Sequence, residues 1–314
     1  MWCNCANLVG PAQPSEVLNE ICNQSIIIEA QYKMKGPDMQ KSILITGCSS
    51  GIGLDCAKTL HAMGWLVFAS CRKQKDCDRI VQLGIHAPRL DYADSQSITE
   101  TLAYITNRTD GTLDAVFNNG AFAVPGAVED LPTDALRSIY ETNVFGYHEV
   151  MRQVLPIMRT QGHGRILNCS SVLGFVVMRW RGAYTSSKFA LEGLTDTLRI
   201  EMRDTNIKII LIEPGPIGTK IRENSIPHFE KWVDWKNSPR KAQYETGLLK
   251  RLYSPKDGPD AFELPASAVT AKVIRALERV NPKPRYYVTK PTYVMGVLRR
   301  ILPTQALDWV ISRM

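Results

Sequence analysis

Short β-branched apolar runs alternate with longer segments of helical period along most of the chain, beginning at Ser42. The apolar runs predict strands at residues 42–46, 65–69, 87–90, 115–118, 165–169, 208–212 and 286–288. The helical segments are 51–63, 95–107, 133–159, 183–203 and 266–278. This alternation is typical of βαβ units and predicts an α/β fold, a single doubly wound, Rossmann-like domain at 39–290 with a parallel sheet. Ligands of such sheets bind at the carboxyl ends of the strands.

Residues 1–38 carry no clear period and are rich in Asn, Gln, Pro and Cys. We interpret them as a poorly ordered N-terminal extension. Met39 is a candidate natural start, because the first predicted strand follows within a few residues. The alternative is an arm used for targeting or for binding a partner.

Composition and charge exclude several classes of function. The 314 residues are 44% hydrophobic, as in an ordinary globular core. The formal net charge is +7, but Lys and Arg are interspersed with Asp and Glu, which argues against nucleic-acid binding. No apolar run approaches the roughly 18 residues of a membrane span, and the N-terminus lacks the order of a signal peptide. We therefore expect a cytoplasmic protein.

The eight cysteines include no CxxC pair and no neighbouring histidine at metal-ligand spacing. Several lie within apolar stretches. This pattern favours free thiols in a reducing compartment over a disulfide framework, and it predicts no metal site.

A glycine-rich loop joins the first predicted strand to the first predicted helix, in the order Thr46-Gly47-Cys48-Ser49-Ser50-Gly51-Ile52-Gly53. Its glycines allow a tight turn and a close approach to a pyrophosphate, whose charge the helix N-terminus attracts. The TGxxxGxG pattern resembles the cofactor loop of the short-chain dehydrogenase/reductase family, and the similarity covers residues 40–290. The resemblance implies a dinucleotide site that includes Gly47, Ser49, Ser50, Gly51, Ile52 and Gly53.

The end of the second predicted strand indicates which nicotinamide cofactor is bound. Folds that bind NAD usually carry an acidic residue there, which accepts a hydrogen bond from the ribose 2′-hydroxyl. This chain has the neutral Cys71, followed by Arg72 and Lys73, which can pair with a 2′-phosphate. The sequence therefore predicts NADP(H), with Arg72 as a ligand. The alternative is that Arg72 merely begins a solvated helix.

Three further segments resemble parts of the family that contact the cofactor. Asp91 resembles its adenine-contacting Asp, and Asn118-Asn119-Gly120-Ala121 resembles its NNAG motif with the last two residues exchanged. The resemblance implies that Asn118 braces the sheet and that Asn119 lies beside the cofactor. The third segment is Pro214-Gly215-Pro216-Ile217-Gly218-Thr219. Here the resemblance implies that the Ile217 backbone and the Thr219 hydroxyl hold the carboxamide and a phosphate.

Tyr184 and Lys188 are four residues apart on a predicted helix, so their side chains share one face. A phenol has an ordinary pKa of about 10, which a nearby ammonium and an oxidised nicotinamide lower. Tyr184 can then exchange a proton with a carbonyl or alcohol oxygen. By itself YxxxK arises by chance on helix surfaces. Ser171, however, precedes Tyr184 by thirteen residues, and the resemblance implies that it polarises the substrate carbonyl.

Asn143, in Asn143-Val144-Phe145-Gly146, resembles the fourth catalytic residue of the family, which helps to hold a water between Lys188 and bulk solvent. The alternative is a polar residue that bends its helix. The resemblance also implies transfer of the pro-S hydride. It further implies a homo-oligomer that forms through the helices holding Asn143 and Tyr184.

The connection at 220–264 is long for a loop and contains several aromatic residues, so we expect an α-helical lid over the substrate. Together with apolar residues on the opposite rim, this lid favours an apolar substrate. A lid that packs on a core of its own would use the same residues. The segment at 291–314 is amphipathic and basic; it either packs on the core or makes a weak peripheral membrane contact.

These residues together predict an oxidoreductase that transfers a hydride between NADP(H) and a carbonyl or alcohol. We expect reduction of small apolar aldehydes or ketones, because cells keep the NADP pool reduced. The chain also resembles family members that act on steroids, retinoids and long-chain aldehydes. The alternative is a non-catalytic NADPH-binding sensor or scaffold, against which the presence of Ser171, Tyr184 and Lys188 argues.

Overall fold

The computed structural model describes residues 40–255 and 258–313, so the predicted extension at 1–38 lies outside the described residues. Parallel strands form a six-stranded sheet in the order β2-β1-β3-β4-β5-β6. The strands are β1 (Ser42–Ile45), β2 (Leu66–Ala69), β3 (Ala115–Asn118), β4 (Gly164–Cys169), β5 (Ile207–Glu213) and β6 (Arg285–Tyr287). This order confirms the predicted doubly wound, Rossmann-like α/β fold.

Helices cover both faces of the sheet. They are α1 (Gly51–Ala62), α2 (Gln74–Val81), α3 (Ser95–Thr106), α4 (Thr133–Tyr140), α5 (Tyr147–Gln161), α6 (Gly182–Glu201), α7 (Ile221–Trp232), α8 (Lys241–Gln243), α9 (Leu249–Tyr253), α10 (Ser267–Glu278), α11 (Lys290–Ile301) and α12 (Thr304–Ile311).

Alternate residues of each strand face opposite layers. Ile43 and Ile45 of β1 pack with the layer that contains α1 and α10. Leu44, between them, packs with the layer that contains α3, α5 and α6. Because both faces of the parallel sheet are buried, its strands are almost continuously apolar.

The strand predicted at 87–90 is wrong. Two isolated bridges stand in its place, one between Phe68 and His86 and the other between Cys71 and Arg89. Pro88 lies in the middle of this run and lacks a backbone N–H, so it cannot donate to a ladder. The chain beyond β2 therefore reaches the sheet edge without forming a regular seventh strand there.

The helix predicted at 133–159 exists but is divided by a π-helical turn at Glu141–Gly146. It extends to Gln161 and ends at Gly162, whose φ of 78° is left-handed. Helix α2 was not predicted. Its sequence is mostly polar, and only Cys77 and Ile80 are buried, so only a few apolar residues mark its helical period.

The connection that follows β5 folds into α7, α8 and α9, with a second π-helical turn at Tyr244–Leu248. Its buried residues Phe229, Tyr244 and Leu252 form a small core of their own. The Tyr244 hydroxyl accepts a hydrogen bond from the Ala127 N–H (2.8 Å) and donates one to Asp130 (2.7 Å). The connection predicted to be a lid is thus anchored to the loop that follows β3.

Gly146 ends the first π-helical turn, at Glu141–Gly146, and packs closely against Tyr92, since a Cβ on Gly146 would overlap the Tyr92 side chain. Gly146→Ala is expected to lower the free energy of unfolding by about 1–3 kcal/mol through overpacking. Gly193→Ala on α6 is the control, because its added Cβ has no neighbour within 4 Å. That control should be neutral or stabilising by up to about 1 kcal/mol. Equal effects of the two substitutions in urea unfolding would contradict the packing argument.

Candidate active site

The glycine-rich loop leaves β1 and makes a close crossing with the loop that follows β3. Gly47 and Gly51 have left-handed φ values of 69° and 58°. A Cβ on Gly47 would lie 2.5 Å from the Gly120 Cα, so a glycine is needed at this crossing. The exchanged Gly-Ala order of the NNGA segment therefore places Gly120 where the two backbones approach most closely. Asn119 closes the contact by donating to the Thr46 carbonyl at 3.0 Å.

The first turn of α1 is arranged like an anion site. Ser50 is the N-cap residue, but its side chain makes no capping hydrogen bond, and the first turn has no acidic residue. The first backbone N–H groups of a helix have no partner within the helix and attract negative charge. Thr219 lies beside this turn, since a Cβ on Gly51 would be 3.1 Å from its Cγ2 atom. The structure thus brings together the glycine loop and the Pro214–Thr219 segment.

The positive charges near the glycine loop come from two places. Arg72, directly after β2, is exposed, whereas Cys71 is buried. Arg79 of α2 donates to the Ser49 carbonyl at 2.5 Å and pairs with Asp76 at 3.3 Å. Sequence reasoning missed Arg79, because α2 itself was not predicted. An amphipathic signal in 74–81 would have identified the helix but not the contact of Arg79 with the glycine loop.

Lys188 is buried on α6 with one direct hydrogen bond, donated to the Cys169 carbonyl at 2.7 Å. Its Nζ atom lies 5.6 Å from the Tyr184 ring centre and 5.0 Å from that of Tyr147. Burial lowers the pKa of Lys188 to about 8, although Glu192 acts in the opposite direction. The amine and the phenol therefore share one face of α6, as the spacing predicted.

Ser171 follows β4 and reaches the phenol of Tyr184. Its Oγ atom accepts from the Leu173 N–H at 3.1 Å, which leaves the hydroxyl hydrogen free to be donated. Burial raises the pKa of the Tyr184 phenol, and contact with Ser171 opposes the rise only in part. Tyr184 is consequently protonated at neutral pH. The predicted lowering by Lys188 together with an oxidised nicotinamide concerns the complex with that cofactor and stays a prediction.

Asn143 lies in the π-helical turn and is fully buried. Its amide donates to the Phe122 carbonyl at 3.0 Å and to the Ser187 hydroxyl at 3.1 Å, while its oxygen accepts from the Phe122 N–H at 3.2 Å. These bonds clamp the loop after β3 onto α6. The helix-distorting alternative matches this geometry, and the water-holding role stays a prediction. So does the adenine contact of Asp91, whose carboxylate accepts from the Ala93 N–H at 3.1 Å.

A buried chain of hydrogen bonds, not foreseen from the sequence, links the glycine loop to α6. Thr46 bonds to the Tyr92 hydroxyl at 2.5 Å, and Tyr92 donates to Asn118 at 3.1 Å. Asn118 donates to Asn168 at 3.0 Å, and Asn168 donates to Thr195 at 3.0 Å. The chain crosses β1, β3 and β4, so Asn118 does brace the sheet.

An ion cluster lies one helical turn beyond Lys188. Arg285 of β6 pairs with Glu192, with Glu213 at 2.5 Å and with Asp196 at 2.5 Å. Glu213 is fully buried, and burial raises its pKa to about 8; the neighbouring Glu192 acts in the same direction, and Arg285 acts in the opposite one. This cluster was also missed, because Arg285 is 93 residues from Glu192 in the chain.

Within residues 40–255 and 258–313, no group of His, Cys, Asp or Glu side chains could hold a metal ion. The cysteines at 48, 56, 71, 77 and 169 are free and buried.

The chain belongs to the short-chain dehydrogenase family, whose model matches residues 41–229. It is 36% identical over 279 residues to the uncharacterized oxidoreductase YbbO of Escherichia coli K12, covering 89% of this chain and 97% of that one. An NADPH-dependent 3-dehydrocapnine reductase of Ornithobacterium rhinotracheale is 28% identical over 281 residues, which are 86% of this chain and 95% of the relative. A short-chain dehydrogenase structure from Streptomyces avermitilis has a TM-score of 0.71 at 26% identity, covering 88% and 99% of the two chains. The protein is therefore an oxidoreductase that uses NAD(P).

The raised pKa of Glu213 predicts how stability depends on pH. A carboxyl with an ordinary pKa of about 4.3 when unfolded, and a higher one when folded, keeps its proton longer in the native state. Its contribution to stability is therefore complete at acidic pH and is lost as pH rises towards 8. Glu213→Gln should flatten this fall, by up to about 1.4 kcal/mol per pH unit between pH 5 and 8.

The measurement is the free energy of unfolding in urea across that pH range. Exposed Glu201 at the end of α6 provides the control, since Glu201→Gln should leave the wild-type slope unchanged. Parallel curves for wild type and Glu213→Gln would show that Glu213 titrates normally.

Proposed function

We propose that the protein is an NADP(H)-dependent reductase of apolar aldehydes or ketones. The observation that carries this proposal is the meeting of Ser171, which follows β4, with Tyr184 and Lys188 of α6. A hydroxyl, a phenol and an amine placed together can polarise a carbonyl and give it a proton, whereas binding of a cofactor alone does not require all three.

The residues present fit a dinucleotide phosphate. The uncapped first turn of α1 and Thr219 would hold the pyrophosphate, and Arg72 and Arg79 would face a 2′-phosphate. Bound NADPH would supply the hydride that reduces the carbonyl carbon and would leave as NADP⁺. The printed name of the O. rhinotracheale relative, an NADPH-dependent reductase, agrees with this choice of cofactor and direction.

The chain's own residues would supply the proton. The phenol of Tyr184 is protonated at neutral pH, so it can give its proton to the carbonyl oxygen as the carbon is reduced. The Ser171 hydroxyl can donate a hydrogen bond to the same oxygen and polarise the carbonyl. The Lys188 ammonium would stabilise the phenolate left behind, because its Nζ atom lies over the Tyr184 ring, 5.6 Å from the ring centre.

Apolar side chains surround this group of residues. Leu173, Val176, Met295 and Leu307 are buried in one cluster, against which Tyr184 packs. Phe122, which stacks on His228 of α7 with ring centres 4.2 Å apart, packs with Tyr184 in a second apolar cluster. These apolar neighbours of Tyr184 favour an apolar substrate over a polar one.

We also propose a homo-oligomer and keep the cytoplasm as its location. Phe145, Phe189 and Leu194 on the helices that hold Asn143 and Tyr184 are exposed by 38–52%. Exposed aromatic and aliphatic side chains on these two elements favour a contact with a second copy. The buried free thiols suit a reducing compartment.

NADPH oxidation with linear aldehydes of increasing length tests the proposed function. Each buried methylene contributes about 0.8 kcal/mol, so kcat/KM should rise roughly threefold to fourfold per carbon until the pocket is filled. Tyr184→Phe should lower kcat by about 100-fold or more while NADPH affinity, followed by fluorescence, stays within about twofold.

Two results would contradict the proposal. Tight NADPH binding without oxidation of any aldehyde or ketone would favour the sensor or scaffold. Near wild-type turnover in Tyr184→Phe would remove Tyr184 from the chemistry.

Cofactor preference rests on Arg72, so Arg72→Ala should weaken NADPH by about 10- to 100-fold, the worth of a charge-assisted hydrogen bond. NADH, which lacks the 2′-phosphate, should be affected by less than about twofold. Lys75→Ala on the exposed side of α2 is the control for general charge and should change neither cofactor. The measurement is kcat/KM for each cofactor with one aldehyde. Equal loss for both cofactors would show that Arg72 does not recognise the phosphate.

A further inference from the structure

The last two described helices, α11 and α12, have an inner and an outer face with different surroundings. On the inner face, Met295 and Leu307 are buried against Leu173 and Val176, in the cluster that Tyr184 also contacts. These helices therefore form part of the wall beside the candidate active site. The outer face of α11, by contrast, is exposed.

The outer face of α11 carries an apolar stripe. Val294, Val297 and Ile301 are exposed by 54%, 56% and 67%, and their spacing of three and four residues places them in one line along the helix. Trp309 on α12 is exposed by 57%. Scattered exposed apolar residues are ordinary, but a continuous stripe indicates a contact surface.

A basic cavity adjoins this stripe at the β6 edge of the sheet, with a volume of about 330 Å³. Its cations are Lys272, Arg275, Arg279, Lys283, Arg285 and Arg300, and its lining includes no acidic residue. Arg285 is already paired with the carboxyl groups of Glu192, Asp196 and Glu213. Within the described part of the chain, Lys272, Arg275, Arg279 and Lys283 have no acidic partner. Arg300 lies on α11 itself, so the stripe and the cavity form one surface.

We propose that this surface, the docking face made by Val294, Val297 and Ile301 with Arg275, Arg279 and Arg300, binds the surface of a bilayer that contains anionic phospholipid. A membrane interface receives apolar side chains at the headgroup boundary and attracts cations to its phosphates. A nucleic acid would pair with the cations but would leave the aliphatic stripe uncovered. The contact is peripheral, since none of the described helices could cross a membrane.

The docking face also has a consequence for substrate supply, which rests on the proposed function. Apolar aldehydes and ketones partition into bilayers. Because the same two helices line the candidate active site on their inner face, docking would place the site close to the phase in which such substrates concentrate.

Sedimentation of the full chain with vesicles tests the docking face without any need for activity. Vesicles of phosphatidylcholine mixed with phosphatidylglycerol should bind the wild type at least about tenfold more tightly than phosphatidylcholine alone, given roughly 1 kcal/mol for each basic residue near an anionic surface. The double variants Val297→Asp with Ile301→Asp, and Arg275→Glu with Arg279→Glu, should each weaken this binding by about tenfold or more.

The matched control is Ile200→Asp with Arg203→Glu at the end of α6, where both residues are exposed. It should bind the mixed vesicles like the wild type. All variants should keep the wild-type midpoint of urea unfolding, which separates loss of docking from loss of fold and does not depend on the proposed chemistry.

Three results would overturn the docking face. The first is failure of the wild type to bind mixed vesicles, and the second is equal loss in the control. The third is a charge-only effect: vesicle binding unchanged in Val297→Asp with Ile301→Asp, together with duplex DNA binding lost only in the Arg variant. That pattern would indicate a nucleic-acid surface.

Discussion

The ammonium of Lys188 lies in an apolar environment, and the architecture around it is arranged to keep it there. Burial of a charged amine is costly unless dipoles and charges compensate for it. The Cys169 carbonyl accepts a hydrogen bond from the Lys188 ammonium, and Glu192 favours its charged form. The ring centres of Tyr147 and Tyr184 lie 5.0 and 5.6 Å from the Nζ atom. These partners come from β4, α5 and α6, so satisfying one charge fixes how the helix that carries Tyr184 sits against the sheet.

The same helix is tied to the glycine loop by side chains inside the sheet. The hydrogen bonds from Thr46 through Tyr92, Asn118 and Asn168 to Thr195 connect the two halves of the candidate site. A fully bonded polar chain in a low-dielectric interior is rigid, because every broken link leaves a buried group without a partner. The distance between the glycine loop and Tyr184 is therefore set by the fold before any ligand arrives.

Features that depend on local spacing could be predicted from the sequence. The glycine loop, the four-residue interval from Tyr184 to Lys188 and the position of Ser171 after a strand each need only a few neighbouring residues to be recognised. The strand at 87–90 was wrong because apolar composition outweighed the missing donor of Pro88. Arg79 and Arg285 were missed because their roles arise from contacts across the fold, which no local pattern encodes. The rise in the pKa of Tyr184 comes from burial, whose extent the sequence does not give.

Hydride transfer itself is the central claim, and isotope transfer measures it directly. NADPH carrying deuterium at both C4 positions of the nicotinamide is mixed with a long-chain aldehyde, and the alcohol is analysed by mass spectrometry. The account predicts one deuterium on the former carbonyl carbon of every alcohol molecule formed. Alcohol without deuterium, or NADPH consumed without alcohol, would contradict it.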